Sequence, residues 1–440
     1  MLFDGAMRAS ISPVLPAVLC SVLALACGGT EGDDDRRAGA VALPGVAIDH
    51  VVIDSTGAAI VGGRFGGTID LGDGPPITAV AQVDGFTAKV TPAGEVLWWR
   101  TYGGVQVNDV GRDDQVTGLA VMPDDSVIVT GYVEGVVDLG GGPLGGDDDG
   151  APDPGMLFVA RYAADGTHLW SKRWRSVNGS SSAELPVVSD DGSIYLIGHF
   201  NGGATIAPVA LTFGLEKVLV KVSADGAVQW ARPVRDPASD GEPRYNVSGL
   251  AAHGDDVLLS GWVDGGTDLG AGPVADTVAT YAMVRDAADG AIAAVHPYTP
   301  VETASGDRPM AVAPDGRVIL GGAHLTWLAP DLTVARSIDL SDLSAAGLRA
   351  GQVAVASNGD VAWASTVAHV CYSSAGVELA REDQTPVDPR DAPLRIGDVA
   401  VGPDDRVVLA GAFAATIALG GRRLDLPTGA TGAGFVIWTE

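Results

Sequence analysis

The residues of this chain best able to do chemistry are carboxylates. Residues 145–155 read GGDDDGAPDPG, and Asp147, Asp148, Asp149 and Asp153 offer oxygen ligands of the kind a calcium ion takes. The alternating Asp-x-Asp-x-Asp-Gly order of a calcium loop is missing, so a solvated acidic loop also accounts for them. Asp70, Asp138 and Asp268 share one place, seven residues after a recurring glycine. A ring of carboxylates there could hold a cation. Thr205 and Ala418 occupy the same place in two other units, which favours aspartates that accept backbone N–H groups in turns. The seven histidines, His50, His168, His199, His253, His296, His324 and His369, form no close pair and no His-Glu-x-x-His motif. His199 and His324 fall on predicted second strands, where a channel could be lined, although structural histidines are expected. No Gly-x-Ser-x-Gly elbow or phosphate-cradling glycine loop occurs. No catalytic residue is assigned, no enzyme activity is expected, and no cofactor beyond calcium is suggested.

The elements that would position such groups are short strands. The chain has 440 residues, is 46% hydrophobic, and carries 61 Gly and 26 Pro, which suits many strands joined by turns. The formal charge of −28 opposes nucleic-acid binding, because phosphates call for clustered Lys and Arg. A turn, an apolar run and a small residue recur along the chain. Taking Gly57, Asp125, Gly192, Asp255, Gly316, Gly359 and Asp405 as turn markers, the residue six positions later is Gly63, Gly131, Gly198, Gly261, Gly322, Ser365 and Gly411. Each marker sits between two short apolar runs, the pattern of a β-hairpin. A second hairpin follows. Lys89-Val90-Thr91-Pro92-Ala93-Gly94 aligns with segments starting at Arg161, Lys221 and Arg285, and Trp98, Trp170, Trp230 and Ala294 lie four residues past the glycine. The tryptophans' fixed place predicts packing rather than ligand stacking. The recurring cations are expected to be exposed on the strands.

Two hairpins per unit give four strands, and seven units repeat at 43 to 68 residues. That is the pattern of a seven-bladed β-propeller with four-stranded antiparallel blades. The last unit stops after Phe435-Val436-Ile437-Trp438, one strand short. Gly39-Ala40-Val41-Ala42-Leu43 resembles the fourth strand beginning at Gly226, so an N-terminal strand within residues 38–45 is predicted to close the ring. Closure removes exposed sheet edges. Cys371 is expected to be a small buried residue on a third strand, with no disulfide framework in the protein.

Segments such as "VIVTGYVEGVVDLGGG" (127–142) and "FVARYAADGTHLWSKRW" (158–174) resemble the SBBP-type β-propeller repeat of bacterial envelope proteins. The Asp-Gly…Trp element is similar to that of quinoprotein-like propellers. Both resemblances imply a fold and an envelope location, and neither implies a defined activity.

The N-terminus reads as an address. Residues 11–26, ISPVLPAVLCSVLALA, are apolar but short for a membrane span, and they suit a signal peptide. The following Leu25-Ala26-Cys27-Gly28 resembles the lipobox of bacterial lipoproteins, which implies diacylglycerol on Cys27. Residues 1–26 are read as the signal peptide, 27–37 as a polar tether and 38–440 as one propeller domain; Met1 and Met7 are both possible starts. The chain is expected to be an exported monomer, lipid-anchored at the outer membrane or cell surface. It would present a non-enzymatic binding or scaffold face to a protein or glycan. An enzyme with a site built from blade loops, dehydrogenase or glycan-cleaving, and an outer-membrane assembly scaffold are the competing expectations.

Overall fold

In a computed structural model of the protein, the described residues are 39–439 apart from 73–74, 105–112, 145–154, 175, 177–180, 202–203, 207–208, 212–215, 236–244, 275–278, 299–308, 344–350, 366–367, 384–393 and 420–421. Seven four-stranded antiparallel sheets form the blades of a propeller. Blade one holds Val46–Ile53, Ala59–Phe65, Asp84–Val90 and Val96–Tyr102. Blades two to six follow in chain order over residues 115–174, 181–233, 245–298, 310–339 and 352–383. Blade seven takes Leu394–Val401, Val407–Phe413 and Ala433–Trp438 from the end of the chain, and Ala40–Pro44 from its beginning. The closing strand pairs antiparallel with the last one, Ala40 opposite Ile437 and Pro44 opposite Ala433. The predicted closure is therefore the observed one.

The middle strands explain the apolar runs. Asp84–Val90 is buried at every position, because its two faces pack on neighbouring blades. The outer strand Val96–Tyr102 alternates, since one face meets water. Each seam fills with side chains from two blades, as where Val408 and Val436 meet Val61 and Ala88. Burial of such side chains stabilises by about 25 cal/mol per Å² of apolar surface. Blades five and six are thinner: their second strands, Val318–Leu320 and Val361–Ala364, replace the longer Val127–Val133 of blade two.

The recurring glycine has a steric cause. The inner strand bulges at one register in blades one, two, four and seven, where the pairing passes over Asp49, Thr117, Ser248 and Gly397. The bulge drives a backbone carbonyl against the second strand. A Cβ on Gly63 would lie 2.0 Å from the Ala47 oxygen, and one on Gly411 2.0 Å from the Arg395 oxygen. Only a residue with no side chain fits.

Candidate functional site

The inner strands surround a central channel of about 430 Å³. Its polar lining includes Asp49, His50, Gln115, Thr117, Glu184 and Asp398. The bulges place Asp49, Thr117 and Ser248 on this lining, because the register passes over a bulged residue and its side chain turns off the ladder. These groups act across seams. Asp398 of blade seven accepts from the Val51 amide of blade one at 3.1 Å. The Thr117 hydroxyl donates to the Ala183 carbonyl of blade three. Asp49 meets Arg395 Nη2 of blade seven at 2.8 Å and Arg64 Nη1 of its own blade at 3.6 Å. Glu184 pairs with Lys217.

A second set of groups lies at the seams nearer the rim. Lys89 Nζ sits 2.6 Å from Asp54 Oδ2 in its own first turn and donates to the Ala164 carbonyl of blade two at 3.1 Å. The Trp98 indole donates to that same carbonyl at 3.0 Å. Arg161 and Trp170 converge likewise on Ala224, and Lys221 and Trp230 on Ala287. Lys89, Lys221 and Arg285 are buried. The expectation of exposed strand charges is thus wrong, because the face opposite the apolar set meets the next blade and not water. Burial tends to raise the Asp54 carboxyl, but hydrogen bonds from Lys89 and Thr56 and the Lys89 charge bring it below the usual range. Each tryptophan also lies on a turn glycine: a Cβ on Gly166 would be 2.8 Å from the Trp98 ring.

Arg285 does not share the register that the sequence alignment gives it. Val284 pairs with Leu258 and Ala294, the place that Lys89 holds between Ile60 and Trp98. One extra residue in the hairpin turn shifts Arg285 by one, and a one-residue slip reverses the face. Its guanidinium therefore reaches back to blade three, donating to Pro233 and Val234 at 2.9 Å each. Burial lowers its pKa to about 10.

Sequence reasoning missed one further group. Asp114, fully buried where blade one meets blade two, accepts from the Gly104 amide at 2.7 Å and the Glu134 amide at 2.8 Å. Burial pushes its carboxyl up to about 7, the two amides oppose this, and the Asp84 and Glu134 carboxylates add to it. No motif marks it, because its amide partners come from two separate loops, one of each blade.

The other predicted residues fall as follows. The Asp138 carboxylate accepts from the Gly140 and Gly142 amides, Asp268 from Gly270 and Gly272, and Asp70 from Gly72, so these aspartates fold their own turns. Asp147, Asp148, Asp149 and Asp153 lie outside the described residues, as do Cys27, the signal segment and the tether. Among the described residues, no group of three metal-ligating side chains gathers. No helix among them is long and apolar enough to cross a membrane. His199 is partly buried beside Lys217; burial first, then the Lys217 charge, lower its pKa. His324 opens the third strand of blade five rather than lying on the second as expected, because the short second strand ends at Leu320, and it faces Asp339 at 3.7 Å. Cys371, 3% exposed on the third strand of blade six, is disulfide-bonded, against the expectation of no disulfide. Cys20 and Cys27 are the other cysteines, and both lie outside the described residues.

No protein-family model and no curated protein matches the chain. Solved structures similar to it include YCF48 bound to D1 peptide, at 13% identity, covering 96% of this chain and 100% of that one, with a TM-score of 0.46. BamB from Moraxella catarrhalis shows 12% identity over 89% of this chain and 96% of its own, with a TM-score of 0.41. Quinohemoprotein alcohol dehydrogenase from Comamonas testosteroni shows 11% identity over 91% and 76%, with a TM-score of 0.42. By the pairing of its own strands, the chain is a seven-bladed β-propeller of four-stranded antiparallel blades.

Proposed function

We propose that this protein is an exported, lipid-anchored binding scaffold that presents one mouth of its channel to a protein or glycan partner and catalyses no reaction. The observation that carries this reading is how the polar channel groups are used. Asp49, Asp398, Thr117 and Glu184 all hold ion pairs or hydrogen bonds, three of them across blade seams. Groups so engaged brace the ring and keep a fixed shape, which lowers the ordering cost of binding. A general acid or base must instead reach a substrate proton. The anchor rests on Cys27 and the residues before it. Two or three acyl chains hold a protein stably, at about 0.8 kcal/mol per buried CH₂.

The test is expression of the full chain in a bacterial host fed a labelled fatty acid, with mass mapping and crosslinked capture of envelope partners. Label on Cys27 and one partner enriched over a channel-mouth variant are expected. Cleavage before Cys27 removes Cys20, and lipidation occupies the Cys27 sulfur, so the anchored form has no disulfide at Cys371; a mature protein that keeps Cys371 disulfide-bonded to Cys27 would overturn the anchor. Turnover on addition of pyrroloquinoline quinone and calcium would overturn the non-catalytic reading.

A further inference from the structure

Each of the seven seams between blades holds its own apolar cluster, and the clusters are unequal. Among the described residues, the seam between blades four and five buries six apolar side chains: Leu258, Ala282, Val318, Leu320, Leu328 and Leu332. The other seams bury between 11 and 17, and each of those sets includes an aromatic ring, which these six do not. The pairing that grips the next blade elsewhere is also replaced here. Val284 faces Ala294 across the strands where Lys89 faces Trp98, and neither of these side chains can donate a hydrogen bond. The neighbouring Arg285 reaches back to blade three. Blade five differs in turn. Gly166, Gly226 and Gly290 each lie against a tryptophan of the preceding blade, but Leu332 holds the same place in the blade-five turn. Its φ is +64°, a conformation that strains a residue with a bulky side chain. Across the seam, the Tyr298 hydroxyl donates to the Leu332 carbonyl at 2.5 Å.

From these features we infer that the ring opens at the seam between blades four and five, and that this seam is a side entrance to the channel. One buried apolar side chain changes an opening constant by a factor of about ten or more, so a seam with fewer than the rest opens first. Local openings of folded proteins draw on such low-stability regions. The strain at Leu332 is relieved when the blades part, which favours the same motion. Met310 connects the seam to the channel: it packs against the seam cluster and also lines the channel. Leu250 of blade four and Pro309 of blade five line the channel too, so parting these blades opens its wall. The seam where the two chain ends meet buries 17 apolar side chains, so the ring does not open where it closes. This motion does not depend on the binding role proposed for the channel mouth.

Thiol labelling of the folded full chain, read by peptide mass mapping, tests the inference. Ala282→Cys places a thiol in the seam between blades four and five, Ala160→Cys one between blades one and two, and Ala88→Cys one between blades seven and one. All three alanines are fully buried. Without denaturant, Ala282→Cys should label at least about tenfold faster than the other two. Leu328→Cys reports the same seam from blade five, so the comparison survives if Ala282→Cys does not fold. Ala294→Trp combined with Leu332→Gly restores the tryptophan and turn glycine of the other blades. In that background, labelling at the seam should slow about tenfold or more. Equal labelling at all the seams, or fast labelling that the folded double variant leaves unchanged, would sink the inference.

Discussion

Blades one to three and blades five and six hold their neighbours with the same two strand positions but different side chains. In the first group the third strand carries a cation and the outer strand a tryptophan, as in the facing pair Lys89 and Trp98. Blade five inverts this: Trp327 sits on the third strand and Arg336 faces it from the outer one. Arg336 then donates to the Ala375 carbonyl of blade six at 2.7 Å. Blade six has Cys371 and Ala380 there, and its seam to blade seven is gripped instead by Ser357, whose amide and hydroxyl both donate to Asp405 at 2.6 Å. Ser55 grips Asp125 in the same way between blades one and two. The seam therefore needs a donor over the next blade's turn, and either strand can supply it because cross-strand neighbours share a face.

The comparison can be broken or sharpened by experiment, and removing the closing strand should have the largest effect. Deleting residues 38–45 exposes a sheet edge and takes away the buried Val41 and Leu43. We expect a loss on the order of 5 kcal/mol and a clearly lower melting temperature. An unchanged melting curve would show that the seams hold the ring without it. Next comes Lys89→Met, which leaves Asp54 buried and unpaired and should cost about 3–5 kcal/mol in denaturant unfolding. A loss below that of a surface substitution would remove the buried ion pair from the account. Trp170→Ala should cost about 3 kcal/mol, whereas Arg336→Ala in the thin half should cost about 1 kcal/mol. Equal losses would mean that the two kinds of seam are equivalent.

One further effect is pH-dependent. Asp114 has a folded pKa raised to about 7 from 3.8, so the folded state binds more protons between those values. Its contribution is fully present below the unfolded pKa and is lost as pH rises through the folded one. The slope is at most about 1.4 kcal/mol per pH unit. Asp114→Asn should remove that slope between about pH 4 and 7, measured as the difference between parent and variant stability. Asp54 has the opposite sign: its pKa is lowered, so its stabilisation is present above 3.8 and is lost as pH falls through the folded value.

Much of the architecture was legible in the residues. The small residue six places past each turn, glycine in six of seven units, marked the second strand or its end, and the missing fourth strand of the last unit pointed to Ala40–Pro44. These features are local: a turn, a period of two and a steric need for no side chain are all written in a few consecutive residues. The candidate sites were far less legible. Asp49 meets Arg395 across 346 positions of sequence, and Asp114 draws its partners from loops of two blades. Arg285 aligned in sequence with Lys89 yet faces the opposite blade, because one added turn residue reverses a strand's faces. The sequence by itself determined how many blades there are and where the ring closes, since each blade is a local unit. Only the tertiary structure decided which charges are buried and what they meet, since burial depends on the neighbouring blade, which no stretch of sequence contains.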